Sequence, residues 1–461
     1  MPIKTLFPQS LKNLYHLAQA IVANVWYGFP SHKIKVIGVT GTNGKTTTCQ
    51  MIAKILEESG ARVAMASTIN FKLGEKEWVN ATKFTTVSAF ATQKFIAQAV
   101  KTGCKYLVLE TSSHSLDQYR VWGIKYDTAV ITNVTREHLD YHETMEQYRQ
   151  AKLKLFRDVK TAIINLDMEQ PEDFSDYVAK NTYVYTTRDE RIDLKNKKIK
   201  IIQARNIKLG IDGSSYQIPA SPAGRQNTKY QIQIPGLFNV ENALAATCVG
   251  ISEGIDLGVI KNALEKITKV PGRMDEVENN LGLKIIIDYA LTPDSMEKLG
   301  ALISEQKKAN QSLIWVFGAC GERDRGKRPM MGEIVSRYAD YVIVTNEDPY
   351  GEDPVGIINE VFSGVVGMKI SNSEFLTLPT GRQVSNKIPN TKYQILDTKI
   401  EGKNCWRILD RREAIKNALK LAKPGDIILV TGKGAEETMA VGKERIVWND
   451  RQVIGEELEK I

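Results

Sequence analysis

Between a β-branched run and a helical stretch the chain reads Gly38-Val39-Thr40-Gly41-Thr42-Asn43-Gly44-Lys45-Thr46-Thr47. This fits the spacing G-x-x-x-x-G-K-[ST]. The glycines of such a loop let backbone N–H groups close on phosphate oxygens, and the next helix adds the positive end of its dipole. Lys45 is then placed for the outer phosphates of ATP and the Thr46 hydroxyl for Mg²⁺. Glu110 and His138 each lie just beyond a short apolar run. That puts them at C-terminal ends of strands, where open α/β sheets bind ligands. A hydroxyl, a carboxylate and an imidazole around Mg²⁺ suit chemistry that must screen two phosphates and a carboxylate. The alternatives are a helix-capping carboxylate for Glu110 and a cap or core histidine for His138.

These residues need a scaffold that delivers them together. Residues 35–40 (KVIGVT) read as a buried strand, and 46–58 as a helix stopped by Gly60. Apolar runs at 106–109, 128–131 and 162–164 alternate with helical stretches at 88–101 and 145–156. Such alternation predicts a parallel sheet covered on both faces. Residues 193–234 change to short alternating runs and are expected to form an antiparallel hairpin insertion. After Pro271-Gly272-Arg273 the alternation restarts at 284–287, 312–317, 341–344 and 427–430. The expected fold is α/β: an N-terminal helical segment (1–33), a central parallel-sheet P-loop ATPase domain (34–272) and a smaller C-terminal Rossmann-like α/β domain (273–461). In the first segment Leu11, Leu14, Tyr15, Ala18, Ile21, Val22 and Val25 follow a helical period. The segment is too short for a bilayer span and lacks a signal-type cleavage site. The expected helix docks this stripe on the next domain; a membrane-surface helix is the alternative, with Lys12 its only clear cation.

Composition is that of a globular protein of two to four domains, 461 residues with 42% hydrophobic and 25% charged, and does not fit whole-chain disorder, collagen or coiled coil. Sixty-two Lys+Arg against 54 Asp+Glu gives +8 without a basic tail. That suits anionic small ligands and argues against nucleic acid. Five scattered cysteines have no metal-ligand spacing and suggest neither a disulfide framework nor an oxidising compartment, so a cytoplasmic location is expected. GRQ and NTKYQI occur at 224–232 and again, separated by six more residues, at 381–395; the repeat reads as two exposed loops of related origin without a catalytic role.

The form GTNGKTT resembles the phosphate loop of the Mur ligase superfamily. The likeness continues through Glu110-Thr-Ser112-Ser-His, Gln118-Tyr-Arg120, Thr132-Asn-Val-Thr-Arg-Glu-His138-Leu-Asp and Ala151-Lys152-Leu-Lys-Leu-Phe156. It resumes in Gly236-Leu-Phe-Asn239-Val-Glu-Asn242, Pro271-Gly-Arg273-Met-Asp, Asp288-Tyr-Ala-Leu-Thr-Pro-Asp, Gly318-Ala-Cys-Gly-Glu-Arg323-Asp and Gly432-Lys-Gly-Ala-Glu436. These resemble the UDP-N-acetylmuramoyl-tripeptide synthetases, over roughly residues 34–461. The resemblance implies an ADP-forming ligase that activates UDP-MurNAc-L-Ala-D-Glu as an acyl phosphate and adds a diamino acid. It implies ATP contacts from Gly41–Thr47, Asn239, Arg273 and Asp288. It implies muramyl-dipeptide contacts from Thr85, Thr86, Ser112, Gln118 and Arg120, with a surface salt bridge as the alternative for Arg120. In this family the lysine matching Lys152 is carbamylated and helps hold a metal with Thr46, Glu110 and His138; a plain surface lysine is the alternative.

Two departures qualify the resemblance. The family carries a uridine-binding domain before its phosphate loop, whereas 40 residues precede Gly41 here. A partner protein supplying that surface, a folylpolyglutamate-like or lipid-linked muramyl substrate, or a non-catalytic ATP- or precursor-binding scaffold are the alternatives. Second, the DNPR motif of diaminopimelate-adding members reads Glu347-Asp348-Pro349-Tyr350. Two carboxylates there suit the distal ammonium of lysine or ornithine, with Arg323 for the α-carboxylate and Glu436 for the α-amine; Gly432 completes this pocket.

Overall fold

The computed structural model describes residues 8–82, 84–175, 179–188, 199–219, 227–367 and 399–461. The chain divides into two compact units, Met1–Asp275 and Glu276–Ile461. The second copy of the repeat, and the GRQ of the first, lie outside the described residues.

In the first unit α1 (Gln9–Tyr27) leads to β1 (Lys35–Thr40) and α2 (Lys45–Glu58). Then come β2 (Val63–Ala66), β3 (Asn70–Leu73), β4 (Lys76–Val79), α3 (Ala89–Lys101), β5 (Tyr106–Glu110), α4 (Ser113–Asp117) and β6 (Thr128–Ile131). After α5 (Leu139–His142) and α6 (Met145–Leu153) follow β7 (Thr161–Asn165), α7 (Glu172–Ser175), β8 (Asn181–Thr186) and β9 (Ile199–Gln203). These strands form one sheet in the order β4-β3-β2-β5-β1-β6-β7-β8-β9. Its centre is parallel, with Val36 opposite Leu107 and Gly38 opposite Ala129.

Alternation along β1 explains why both faces are covered. Val36 packs with Leu107, Ile131 and Phe156 on one side. Ile37 and Val39 pack with Ile52, Leu56 and Leu244 on the other. That second face is covered by α2, α8 (Leu237–Ser252) and α9 (Leu257–Glu265). The segment expected to be one antiparallel insertion splits. β9 pairs parallel with β8 and extends the main sheet. Only β10 (Arg205–Gly210), β11 (Gly213–Ile218) and β12 (Thr228–Ile232) form a separate antiparallel sheet. Its Tyr216 and Tyr230 stack at 5.0 Å against the main core. Apolar alternation alone does not tell an edge strand from an inserted hairpin.

The N-terminal helix forms, but it is turned over relative to expectation. Ala20, Ala23 and Asn24 face inward, Ala20 and Ala23 against Ala89 of α3. Asn24 Nδ2 donates to Trp122 O (2.7 Å), and Asn13 Nδ2 to Asp117 O (3.4 Å). The stripe of large apolar residues points to solvent instead: Leu14 is 60% exposed, Val25 64% and Trp26 77%. Small and amide side chains permit the close approach that the large ones do not.

The second unit has β13 (Asp275–Val277), β14 (Lys284–Asp288), α10 (Pro293–Gln306), β15 (Leu313–Phe317), α11 (Lys327–Tyr338), β16 (Tyr341–Thr345) and α12 (Pro354–Val365). β17 (Cys405–Ile408), α13 (Arg411–Leu421), β18 (Ile427–Thr431), the hairpin β19 (Thr438–Val441) and β20 (Glu444–Val447), and α14 (Asp450–Leu458) complete it. The sheet order is β13-β14-β18-β15-β16-β17, parallel from β14 to β17. Helices α11 and α12 cross so closely that a Cβ on Gly364 would lie 1.8 Å from Pro329 O, and one on Gly332 2.1 Å from Val361 O. Gly364→Ala should therefore force the helices apart and cost about 1–3 kcal/mol. Urea denaturation checks this as a lower midpoint at unchanged slope.

Candidate functional site

In the first unit the phosphate loop bridges β1 and α2. Gly44 (φ 82°) is the residue before α2, and a Cβ there would lie 2.3 Å from Asn242 Oδ1, so glycine is required for both conformation and space. The loop is held from the neighbouring β6 end. Asn43 N donates to Asn133 Oδ1 (2.9 Å), Thr132 Oγ1 donates to Asn43 O (2.6 Å), and Thr42 N donates to Asn133 O (2.9 Å). Lys45 Nζ donates to Gly41 O (3.1 Å) and Thr42 O (2.9 Å). Burial and the Arg273 charge hold the Lys45 ammonium below its usual range, against the pull of Glu110.

Glu110, at the end of β5, is buried and accepts from Thr46 Oγ1 (3.0 Å), Thr68 N (2.8 Å) and Thr68 Oγ1 (2.8 Å). A threonine hydroxyl and a buried carboxylate in contact form an oxygen donor set that fits a hard cation such as Mg²⁺. Glu110 is thus no helix cap. Lys152 is fully buried rather than a surface lysine: its Nζ donates to Gly41 O (2.8 Å) and lies 4.3 Å from the Tyr148 ring centroid. Burial, then repulsion from Lys45, pushes its ammonium well down. His138 takes a left-handed backbone (φ 58°) before α5. Its ring meets His114 at 4.6 Å and Tyr148 at 6.0 Å. Tyr148 OH in turn is 3.1 Å from Thr42 Oγ1. Thr46, Glu110 and Lys152 therefore gather at one loop, and His138 is connected to it through Tyr148. No three His, Cys, Asp or Glu side chains among the described residues gather into a ready-made metal cluster.

Beside this loop Thr85 Oγ1 is 3.0 Å from Thr68 Oγ1. Thr86 Oγ1 donates to Glu110 O (3.0 Å) and accepts from Ser112 N (3.0 Å). Arg120 Nη1 donates to Thr86 O (2.6 Å), with its Nε buried and unpartnered; Gln118 closes α4. Asn239 is buried in α8, where its Oδ1 accepts from Asn242 Nδ2 (3.1 Å). Thr47 lies buried in the first turn of α2.

The second unit holds the other expected residues. Asp288 ends β14, and its carbonyl accepts from Gly432 N (3.1 Å). Glu347 is buried; Oε1 accepts from the Cys320 thiol (2.9 Å) and Oε2 has no partner. A Cβ on Gly432 (φ 111°) would come within 2.5 Å of that oxygen. Burial, then the Asp348 charge, pushes Glu347 up to about 7, against the Cys320 hydrogen bond. Asp348 accepts from buried Lys433 Nζ (2.8 Å) and Ala440 N (2.7 Å). Lys433 also reaches Glu436 Oε2 (2.5 Å), and Tyr289 OH donates to Glu436 Oε1 (3.2 Å). Arg323 lies 6.0 Å from the Tyr350 ring centroid, and Pro349 O accepts from Glu352 N (3.0 Å). Fully buried Arg328 bolts the two loops together, reaching Glu352 and Glu360 (both 2.7 Å) and Cys320 O (3.1 Å).

Residues 39–250 match the family described as Mur ligase middle domain, and 272–434 that described as Mur ligase, glutamate ligase domain. A UDP-N-acetylmuramoyl-L-alanyl-D-glutamate–2,6-diaminopimelate ligase of Syntrophomonas wolfei is 36% identical, over 95% of this chain and 81% of its own length. The chain belongs to the Mur ligase family. This makes it an ATP-dependent ligase. A solved structure of a ligase of the same diaminopimelate-adding description superposes at TM-score 0.57 with 28% identity, over 93% of this chain and 78% of that one. The fold is shared more widely: Mycobacterium tuberculosis folylpolyglutamate synthase in complex with ADP superposes at 0.67 with 16% identity, over 90% and 91%.

Within this Mur ligase, sequence reasoning left several structural partners of the site without a role. Asn133, Tyr148, Thr68, Asn242, Cys320 and Lys433 touch the residues singled out. Four of them stand inside or beside quoted motifs, which was the available signal. Lys433 changes the pocket most, because it neutralises Asp348. The raised Glu347 carboxyl also has a stability cost. Its unfolded form loses its proton near pH 4.5 and its folded form near 7. The folded state therefore binds more protons between those values, and stability falls as pH rises through the window. Glu347→Gln should relieve this, stabilising the protein by roughly 2–3 kcal/mol at pH 8 but little at pH 4. Denaturant titrations at the two pH values check the difference.

Proposed function

We propose that this Mur ligase joins a diamino acid to the D-glutamate of UDP-MurNAc-L-Ala-D-Glu in peptidoglycan precursor synthesis. The observation that carries this reading is the convergence of Lys45, Thr46, Glu110 and Lys152 on one phosphate loop beside Thr86, Ser112 and Arg120. The first unit would bind ATP and the muramyl dipeptide, and the second the incoming amino acid.

A substrate carboxylate oxygen attacks the γ-phosphorus of ATP and ADP leaves. The amine then attacks the acyl phosphate carbon and inorganic phosphate leaves. Lys45, freed from the Gly41 and Thr42 carbonyls, would follow the charge on the transferred phosphoryl group. Thr46 and Glu110 would hold Mg²⁺, which when bound supplies charge screening between the phosphates and the carboxylate. Arg120, whose buried Nε is unpartnered, suits an anionic substrate group.

The amine pocket keeps one free acceptor, Glu347 Oε2, because Asp348 is engaged by Lys433. One carboxylate still favours a distal ammonium, as on lysine or ornithine. A second reading, meso-diaminopimelate, is favoured by Arg323 over the uncharged Tyr350, a cation placed for a distal carboxylate, and by the names of the relatives. ADP release with UDP-MurNAc-L-Ala-D-Glu and a panel of lysine, ornithine, meso-diaminopimelate and norleucine tests both, with Lys45→Ala as the inactive control. Leaving a buried carboxylate unpaired costs about 2–5 kcal/mol, so the diamino acids should exceed norleucine by roughly 10- to 1,000-fold in kcat/KM. Equal turnover of norleucine sinks the role of Glu347. A preference for meso-diaminopimelate that Arg323→Gln abolishes selects the second reading.

Burial shifts the Lys152 amine toward the neutral form, the form that reacts with carbon dioxide, which supports a carbamate there. Lys152→Ala should lower kcat roughly 10- to 100-fold, with partial rescue by small carboxylates. Full activity of a folded variant removes Lys152 from the metal site.

A further inference from the structure

The N-terminal helix packs its small and amide residues inward and turns its large apolar residues outward. Leu14, Tyr15, Val22, Val25 and Trp26 are all more than half exposed, on one side of a helix of 19 residues. That inward face is fixed by Asn24, which donates to Ala20 O and Trp122 O, and by Ala20 and Ala23 against Ala89. The stripe is therefore not a misplaced core face that a small rotation of the helix would bury.

Three observations say what covers it. First, charge: α1 contains no Asp or Glu, Lys12 lies within it near its N-terminal end, and exposed Lys33 lies six residues beyond its C-terminal end. Second, chemistry: Tyr15 and Trp26 pair a large apolar body with one polar tip, the kind of side chain that settles at the boundary between headgroups and acyl chains. Third, area: 19 residues at 1.5 Å rise give a stripe about 28 Å long and about 10 Å wide, roughly 300 Å². A standard protein interface needs about 800 Å² from each partner. Pairing of two such helices falls well short, whereas a lipid surface needs no matching shape.

We propose that α1 is a membrane-surface helix, laying its outward apolar face into an anionic phospholipid surface with Lys12 and Lys33 at the headgroups. This holds whichever amino acid the ligase adds. The helix lies on the membrane rather than through it: no helix among the described residues is long and apolar enough to cross one.

The test is co-sedimentation of the full chain with vesicles of phosphatidylcholine alone and of phosphatidylcholine mixed with phosphatidylglycerol. Binding is expected to the mixed vesicles, weakening with added salt. The double variant Val25→Glu/Trp26→Ala, changed only at exposed positions, should bind about tenfold less or weaker still while keeping its thermal midpoint and ATP turnover. Lys12→Glu/Lys33→Glu should lose the preference for phosphatidylglycerol. The proposal is overturned if neither vesicle binds the chain, which would return the stripe to a protein partner, or if the double variant binds as well as the parent. A dimer in light scattering that Val25→Glu splits would assign the stripe to a second copy instead. Equal binding to both vesicles would remove the anionic preference.

Discussion

Two ammonium groups aimed at one carbonyl oxygen set the terms for the first unit. Lys45 and Lys152 both donate to Gly41 O, Lys152 fully buried and Lys45 partly so. Like charges this close repel, and Lys45 adds to the burial that depresses the protonation of Lys152. A polyphosphate relieves that repulsion, and a carbamate on Lys152 would reverse the sign of one partner. The surrounding framework resists collapse: Asn133 and Thr132 hold the loop backbone, and Asn242 fills the space against Gly44. Binding energy for an anion is thus built into the folded chain before any phosphate arrives.

The second unit solves the reverse problem. Glu347, Asp348 and Glu436 bring three carboxylates to one corner, and buried Lys433 compensates two of them. Glu347 remains, with one oxygen on a thiol and one without a partner, and burial makes its proton hard to remove. The loops carrying these groups cannot drift apart. Arg328 joins them through two carboxylates and a carbonyl, and Gly321 N donates to Asp348 O at 2.8 Å. Arg411, paired with Asp450 at 2.7 Å and fully buried, also reaches Asn346 O and Thr431 O. A site whose acceptor is held this firmly discriminates by leaving the wrong ligand's partner unpaired, more than by adding attraction for the right one.

The family relationship and the geometry constrain different things. Membership in the Mur ligases fixes the reaction class and the use of ATP. It leaves the choice of amine to a few side chains, and here Tyr350 stands where related ligases are expected to place an arginine. Arg323 over that ring supplies a nearby cation from another loop.

What the sequence determined by itself was everything written in local pattern. The G-x-x-x-x-G-K-T spacing located the phosphate loop. The strand at 35–40 and the helix after it appear within a residue of expectation, because β-branched runs and helical periods are properties of neighbours along the chain. The alternation of strands and helices gave the two α/β units for the same reason. Tertiary structure alone decided three matters. It made Lys152 a buried group, since only the packing of α6 shows which side of that helix faces the loop. It made β9 an edge strand of the main sheet, a choice between pairings far apart in sequence. And it turned α1 over, because an amphipathic pattern specifies two faces but not which one meets the domain; the small side chains of Ala20, Ala23 and Ala89 and the amide of Asn24 allow the closer fit.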